Sequence, residues 1–187
     1  MQLSSLNFLM RRLCVIGVFS LMLFDGAWAV VLNASNTAGN NHRGNMFDVE
    51  ANTPIAITQL DVSPMGNTTI EVYYKVGTWV GFANDGSAWT LIQTSPVTYT
   101  GGFVPVQLNT PVVLQANQRY AFYVTSSNQS VALNYSNGTA VGNVYSSDAN
   151  LTFFEGVEWS TRSPWGPARF INHECGMALF TMILSDP

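Results

Sequence analysis

The stretch Thr69–Val76, which reads TIEVYYKV, decides the fold class of this chain. Apolar or aromatic residues occupy every second position from Ile70 onward, and polar or amphipathic residues lie between them. An alternation with a period of two residues puts successive side chains on opposite faces of a β-strand, one face buried and the other exposed to solvent. The stretch Arg119–Thr125 (RYAFYVT) repeats the pattern and puts Tyr120 and Phe122 on one face. Both stretches therefore predict strands with one buried face, as in antiparallel sheets.

Short runs of the same kind follow one another from Met46 almost to the end of the chain. Gly, Pro, Asn, Asp or Ser separates them at intervals of roughly 8–12 residues, which is typical of a sandwich or barrel. Besides the two stretches above, the runs are Met46–Ala51, Ile55–Val62, Ala88–Gln93, Pro96–Thr100, Phe103–Leu108, Val112–Leu114, Val131–Tyr135, Ala140–Ser146, Leu151–Glu155, Phe170–His173 and Met177–Leu184. Since no amphipathic helix of useful length interrupts them, the sequence predicts an all-β fold, a jelly-roll-like antiparallel β-sandwich.

Several turns are predicted between these runs. Asn137-Gly138 is the strongest hairpin signal, because both residues tolerate positive φ, and it predicts a hairpin between the two flanking runs. Pro64–Asn67 and Asn84–Ser87 predict further turns. Gln115–Gln118 separates a short strand from an aromatic-rich one, an arrangement that recurs in jelly-roll modules, where the turn links the two sheets.

Residues Met1–Ala29 are interpreted as a secretory signal peptide. Arg11 and Arg12 close a basic region. Leu13–Phe24 form an apolar run of 12 residues, and Ala27–Ala29 match the small-x-small cleavage pattern. The apolar run is shorter than the roughly 20 residues that a membrane-spanning helix needs. We therefore expect a secreted protein, extracellular or periplasmic, without a membrane span after cleavage.

The expected mature chain has 158 residues, which is enough for one domain. Residues 30–45 are expected to be a flexible N-terminal segment, and Asn33–Asn45, which is polar and lacks periodicity, is expected to be either a flexible lead-in or an irregular first edge. Residues 46–187 are expected to form the β-sandwich domain. Only Cys175 remains after cleavage, which excludes an intramolecular disulfide.

Charged residues make up only 10% of the chain, and 47% of its residues are hydrophobic. This composition excludes intrinsic disorder. A net charge of −4 without a basic cluster argues against a nucleic-acid partner. In the expected mature chain, 16 Asn and 16 Thr outnumber the 15 charged residues. Such a surface favours neutral, hydroxyl-rich partners over charged ones.

Six stretches carry a resemblance that covers nearly all of the chain from Gly44 onward. They are Gly44–Ala51, Val72–Phe82, Ala88–Thr90, Tyr120–Thr125, Asn134–Gly138 and Asn150–Gly156. In this order they resemble a β-sandwich module of secreted and surface-exposed bacterial proteins. The resemblance implies a sandwich fold and a bacterial extracellular location, and it carries no catalytic residues with it.

Aromatic residues near loops and on strand faces are the candidate ligand-binding set. They are Trp79, Phe82, Trp89, Trp159, Trp165, Tyr73 and Tyr123. An exposed aromatic ring covers the apolar face of a sugar while nearby amides bind its hydroxyls. The alternative is that rings such as Trp79 and Trp89 pack over the open ends of the sandwich, because large aromatics are highly buried on average.

A structural calcium ion is a weaker prediction, and no other cofactor is expected. The loops that contain Asn84 and Asp85, and Asp148 and Asn150, offer oxygen ligands of the kind that calcium prefers. Neither loop has the spacing of an EF-hand, so turn formation is the alternative role for both.

No catalytic centre is predicted. Cys175 and His173 lie two residues apart, which in a strand separates them by about 6.5 Å, beyond direct hydrogen-bond reach. Cys175 precedes an apolar run and is expected to be a buried hydrophobe. Glu155 and Glu158 could form a glycosidase pair, but an exposed position near a turn is the favoured interpretation.

The sequence therefore predicts a secreted, non-catalytic module that binds an extracellular glycan through aromatic and amide side chains. The second hypothesis is a structural or adhesive component of the cell surface that assembles through strand edges or apolar patches. A hydrolase is the third. A sandwich hosts many functions, so the fold alone does not choose among them.

Overall fold

The computed structural model describes residues 30–33, 40–159, 175–178 and 181–185. These residues form thirteen strands and one short 3-10 helix, Gly86–Ala88. This part of the chain contains no helix with the length and apolar character of a membrane span. The strands are β1 (Val30–Asn33), β2 (Asn40–His42), β3 (Gly44–Ala51), β4 (Ile55–Val62), β5 (Thr68–Val76), β6 (Thr90–Val97), β7 (Val104–Leu114), β8 (Arg119–Ser126), β9 (Leu133–Asn137), β10 (Val144–Ser147), β11 (Leu151–Trp159), β12 (Cys175–Ala178) and β13 (Thr181–Ser185).

The strands lie in two antiparallel sheets that pack against each other, which confirms the predicted all-β sandwich. The four-stranded sheet has the order β1-β13-β4-β7. The nine-stranded sheet has the order β2-β9-β12-β11-β3-β8-β5-β6, and β10 pairs with β11 beside this path. The edge strands β6 and β7, one from each sheet, approach each other along one side of the sandwich.

The main core lies between the two sheets. Phe47 from β3 stacks on Phe122 and Phe153, with ring centroids 5.9 and 4.6 Å apart. Leu60 and Val106 contribute to the same cluster from the four-stranded sheet, and both are fully buried. Burial of each such side chain stabilises the fold by about 1.5–3 kcal/mol.

Predicted strand bounds agree well with the structure in the middle of the chain. β4 has the predicted bounds, and β8 extends the predicted run by one residue. The runs Phe103–Leu108 and Val112–Leu114 join into the single strand β7, because a register shift against β4 accommodates the residues between them. Likewise β6 continues through Pro96, which lies opposite Thr69 of the neighbouring strand.

A second, smaller core covers the outer face of the nine-stranded sheet. Residues 77–89, which we call the cap segment, connect β5 to β6 and contribute Trp89 and Ala83 to this core. The sheet contributes Met46, Tyr123 and Trp159. Both faces of the nine-stranded sheet are therefore buried here, although the alternating sequence pattern predicts one face toward solvent.

The described residues of the N-terminal segment include two strands at sheet edges, β1 and β2. Val30–Asn33 pairs with β13, and Asn40–His42 pairs with β9. In addition, β3 begins at Gly44, two residues before the predicted start. Backbone pairing at sheet edges needs no hydrophobic periodicity, so a polar sequence such as Asn40–His42 gives no signal of it.

The predicted hairpin at Asn137-Gly138 is wrong. β9 pairs with β2 and β12, whereas β10 pairs with β11. The connection between β9 and β10 instead folds onto β11, where the Glu155 carboxylate accepts hydrogen bonds from the backbone N–H groups of Thr139 and Ala140 at 2.6 and 2.7 Å. A contact with a distant strand thus overrides the local preference for a tight turn.

The turn at Gln115–Gln118 links the two sheets as expected, because β7 and β8 belong to different sheets. Asn117 adopts a φ of 59° and donates its backbone N–H to Ala51 at 2.7 Å. The Tyr120 hydroxyl accepts a hydrogen bond from the Gln115 backbone N–H at 2.8 Å. These contacts fix the crossing between the sheets.

Candidate functional site

Three of the seven aromatic candidates are buried in the second core. Tyr123 is fully buried, and Trp159 and Trp89 expose only 2% and 7% of their surface. The ring of Trp89 lies edge-on to Tyr123, and its Nε1 donates to the carbonyl of Phe82 at 2.9 Å. The expectation of an exposed ring at Tyr123 is wrong, because the cap segment covers that sheet face.

The remaining described candidates lie around the cap segment without forming a shared platform. Tyr73 and Trp79 are half-buried against the second core, and Tyr73 donates its hydroxyl to Glu71 at 3.1 Å. Phe82 is 42% exposed, and the Lys75 ammonium lies 4.3 Å from its ring centroid. Trp165 lies outside the described residues.

Asp48 anchors the cap segment to the sheet. Its carboxylate accepts hydrogen bonds from the Thr78 hydroxyl at 2.6 Å and from the Trp79 backbone N–H at 3.0 Å. The guanidinium of Arg119 lies 4.0 Å away. Burial raises the pKa of Asp48, while these hydrogen bonds and the charges of Arg119 and Lys75 lower it to a smaller extent. Asp48 therefore has a structural role at the base of the cap.

Both loops proposed for calcium use their aspartates to form turns. Asp85 accepts hydrogen bonds from the Ser87 backbone N–H and hydroxyl at 3.0 and 2.6 Å. Asp148 accepts from the backbone N–H groups of Asn150 and Leu151 at 2.7 and 2.8 Å. The side chain of Asn84 is exposed, like that of Asp85. Among the described residues, no three His, Cys, Asp or Glu side chains gather as metal ligands.

Glu155 and Glu158 are buried, so their predicted exposure is wrong. Glu155 accepts the Thr139 and Ala140 hydrogen bonds described above, and Glu158 lies 4.0 Å from the imidazole of His42. A burial of this kind depends on partners from distant parts of the chain, which the local sequence does not reveal.

His173 lies outside the described residues, and of Cys175 only its backbone pairing with Val157 is described.

A groove that the sequence reasoning missed runs along the side of the sandwich where β6 and β7 approach each other. It consists of two adjoining cavities that share Ile92. The first cavity has a volume of about 380 Å³ and is lined by Tyr74, Ile92, Thr110, Pro111, Val112 and Val113. The second has a volume of about 280 Å³ and is lined by Leu91, Ile92, Gln93, Thr94 and Asn109. Strand edges of two different sheets form the groove, which explains why no local pattern predicts it.

Groove chemistry is neutral and combines apolar walls with hydrogen-bonding groups. None of the described lining residues carries a charged side chain. Gln93 bridges the two strands, because its Oε1 accepts the Asn109 backbone N–H at 3.0 Å and its Nε2 donates to the Thr94 carbonyl at 3.3 Å. The sequence signal for this site is the pair of runs QTSP at residues 93–96 and QLNTP at residues 107–111.

Several polar groups of the groove are available to a ligand. Within the described part of the chain, no hydrogen bond engages the hydroxyls of Tyr74, Thr94 and Thr110 or the side-chain amide of Asn109. Burial, together with the neighbouring Tyr120, raises the pKa of Tyr74, so its phenol stays protonated at neutral pH and can donate a hydrogen bond. The groove can therefore offer both donors and acceptors.

Comparisons with known proteins do not assign this chain to a group. No protein-family model matches the sequence. No curated protein matches it either.

Proposed function

We propose that this chain is a secreted, non-catalytic module that binds a neutral glycan in the groove between β6 and β7. The observation that carries the proposal is the pairing of apolar walls with unengaged hydroxyl and amide groups in a groove whose described lining residues carry no charge. This site replaces the aromatic platform that the sequence suggests, because most of those rings pack around the cap segment.

Sugar chemistry matches this lining. A pyranose ring presents an apolar C–H face that packs on surfaces such as Pro111 and Val113, and its hydroxyls exchange hydrogen bonds with groups such as the Asn109 amide. A charged ligand would gain no opposite charge from the described lining residues, so any hydration that it loses in the groove would not be compensated. The overall negative charge and the lack of a basic cluster also argue against nucleic acid.

A binding role fits the described acidic residues better than hydrolysis does. Glycoside hydrolysis needs two carboxyl groups about 5–10 Å apart that flank the sugar. Glu155 binds its own loop, Asp48 binds the cap segment, and neither lines the groove. The leader-like sequence Met1–Ala29 supports secretion to a compartment where extracellular glycans occur.

A structural or adhesive role is the second candidate, and an exposed apolar patch on and beside the cap segment favours it. Val76, Val80 and Phe82 are 54%, 56% and 42% exposed within seven residues of one another. Exposed apolar patches often mark protein–protein contacts. Assembly through this patch would give oligomers whose population increases with protein concentration.

The proposal is tested by retention on a panel of immobilised neutral polysaccharides that includes glucans, mannans, galactans and xylans. We expect saturable retention by at least one of them. A soluble form of the same polysaccharide should compete for binding. Absence of binding across the panel would contradict the glycan hypothesis. Analytical ultracentrifugation over a wide range of protein concentrations then tests the second candidate, assembly into oligomers. A protein that stays monomeric over the whole range would exclude it.

A further inference from the structure

The two cavities of the groove differ in character. The larger one, which we call the Tyr74 chamber, has walls of Pro111, Val112 and Val113 and two hydroxyls, those of Tyr74 and Thr110. Its volume of about 380 Å³ lies near the lower end of the range for small-ligand sites. Apolar walls with few hydrogen-bonding groups suit the C–H face of one sugar ring.

The smaller cavity, which we call the Gln93 chamber, is more polar. Gln93, Thr94 and Asn109 line it beside Leu91 and Ile92. The hydrogen bonds of Gln93 to both strands hold its amide in place before a ligand arrives, so little side-chain entropy is lost on binding. This chamber suits a partner that binds mainly through its hydroxyls.

We propose that the groove binds two consecutive sugar residues of a neutral chain, one in each chamber, with Ile92 beneath the linkage between them. This inference rests on the proposed function and adds its ligand class, an oligosaccharide or polysaccharide rather than a free monosaccharide. Tyr74 is a binding residue of the first chamber, and Asn109 and Thr94 are binding residues of the second.

An extended peptide is a poorer occupant of the same groove. Strand addition needs a regular row of backbone N–H and C=O groups along a sheet edge. Pro111 lines the groove on β7 and lacks an N–H group, and Pro96 lies on β6. Proline on an edge strand blocks the pairing that a peptide strand would need.

The test measures dissociation constants by NMR chemical-shift titration, with fragments of one, two, four and six residues from the retained polysaccharide. For the wild type, we expect affinity to increase from one to two residues and to change little beyond two. Tyr74→Phe should weaken binding of every fragment by about two- to twelve-fold, which corresponds to the loss of one neutral hydrogen bond. Asn109→Ala and Thr94→Val should remove the gain from the second residue and leave single-residue binding unchanged.

Thr98→Val is the matched control, because Thr98 is an exposed threonine just after β6 and lines neither cavity. Unchanged thermal stability and near-UV circular dichroism establish that each variant is folded. The inference is wrong if single sugars bind as tightly as disaccharides, or if Asn109→Ala weakens all fragments equally. It is also wrong if an eight-residue Val/Thr peptide shifts the groove signals and the sugars do not.

The outcomes separate the inference from the proposed function. If the wild type binds no neutral glycan, the proposed function fails. If the wild type binds one and all groove variants behave like Thr98→Val, the glycan-binding function stands and the inferred site is wrong.

Discussion

Asp48 shows at the scale of a single residue how burial and hydrogen bonding compete. Burial raises the pKa of its carboxyl group above the usual value of 3.8, and the hydrogen bonds from Thr78 and Trp79 only partly oppose this effect. The folded protein therefore binds the Asp48 proton more tightly than the unfolded chain does. By linkage, the contribution of this group to the free energy of unfolding increases as the pH falls.

We predict that the stability difference between the wild type and Asp48→Asn depends on pH. The wild type gains free energy of unfolding relative to the variant as the pH decreases from 7 toward 3.8, because only the wild type takes up the proton at this position. Urea unfolding of both proteins at several pH values in this range measures the difference. A difference that is constant or that decreases on acidification would show that the pKa of Asp48 is not raised.

The cap segment is the element whose stability depends most directly on this residue. Gly77 and Gly81 adopt φ values of 82° and 84°, which let the chain turn back over the sheet. Hydrogen bonds to Asp48 hold the start of the segment, and burial of Trp89 holds its end. The main core between the sheets includes neither Asp48 nor Trp89.

Asp48→Ala should therefore loosen the cap segment without unfolding the sandwich. Loss of both acceptors leaves the partly buried Trp79 N–H without its partner and costs about 1–3 kcal/mol. We expect faster limited proteolysis within residues 77–89, located by mass spectrometry, and unchanged far-UV circular dichroism. Asp148→Ala is the control, since the Asp148 carboxylate accepts hydrogen bonds in a turn outside residues 77–89. Equal cleavage rates in the two variants would contradict an anchoring role for Asp48.

The strands illustrate what a local pattern predicts and what it does not. Ile55–Val62 has the predicted bounds because its run of β-favouring residues continues through a register shift, with Ile57 and Leu60 on either side of the shift both in the main core. In β8, the alternation of residue types correctly places Tyr123 and Phe122 on opposite faces of the sheet. It does not reveal that the cap segment covers Tyr123. Likewise Asn137-Gly138 has hairpin chemistry, yet Glu155 in a later strand decides the path of that connection. Long-range contacts of this kind also form the groove, so its residues could not be predicted as a group.

At the scale of the whole molecule, a scarcity of charged side chains is the property that the composition and the described lining of the groove share. Uncharged Asn and Thr side chains provide much of the polar character of the expected mature chain, which has 16 of each against 15 charged residues. Dissolved ions do not screen hydrogen bonds between neutral groups. They do screen the attraction between exposed charges at separations beyond the Debye length, which is about 10 Å at 0.1 M salt and about 3 Å at 1 M salt. Ionic strength can therefore distinguish the two modes of binding.

We predict that binding to the retained polysaccharide is nearly independent of salt, with less than about a twofold change in Kd between 0.1 and 1 M NaCl. Isothermal titration at both salt concentrations measures this. A weakly binding acidic polysaccharide serves as the comparison, because any attraction of the few basic residues for it should decrease over the same range. If the affinity for the neutral polysaccharide instead decreases strongly between 0.1 and 1 M NaCl, the contact lies at charged residues such as Lys75 and Arg119, outside the groove. In that case the exposed patch of Val76, Val80 and Phe82 next to Lys75 would become the better candidate surface.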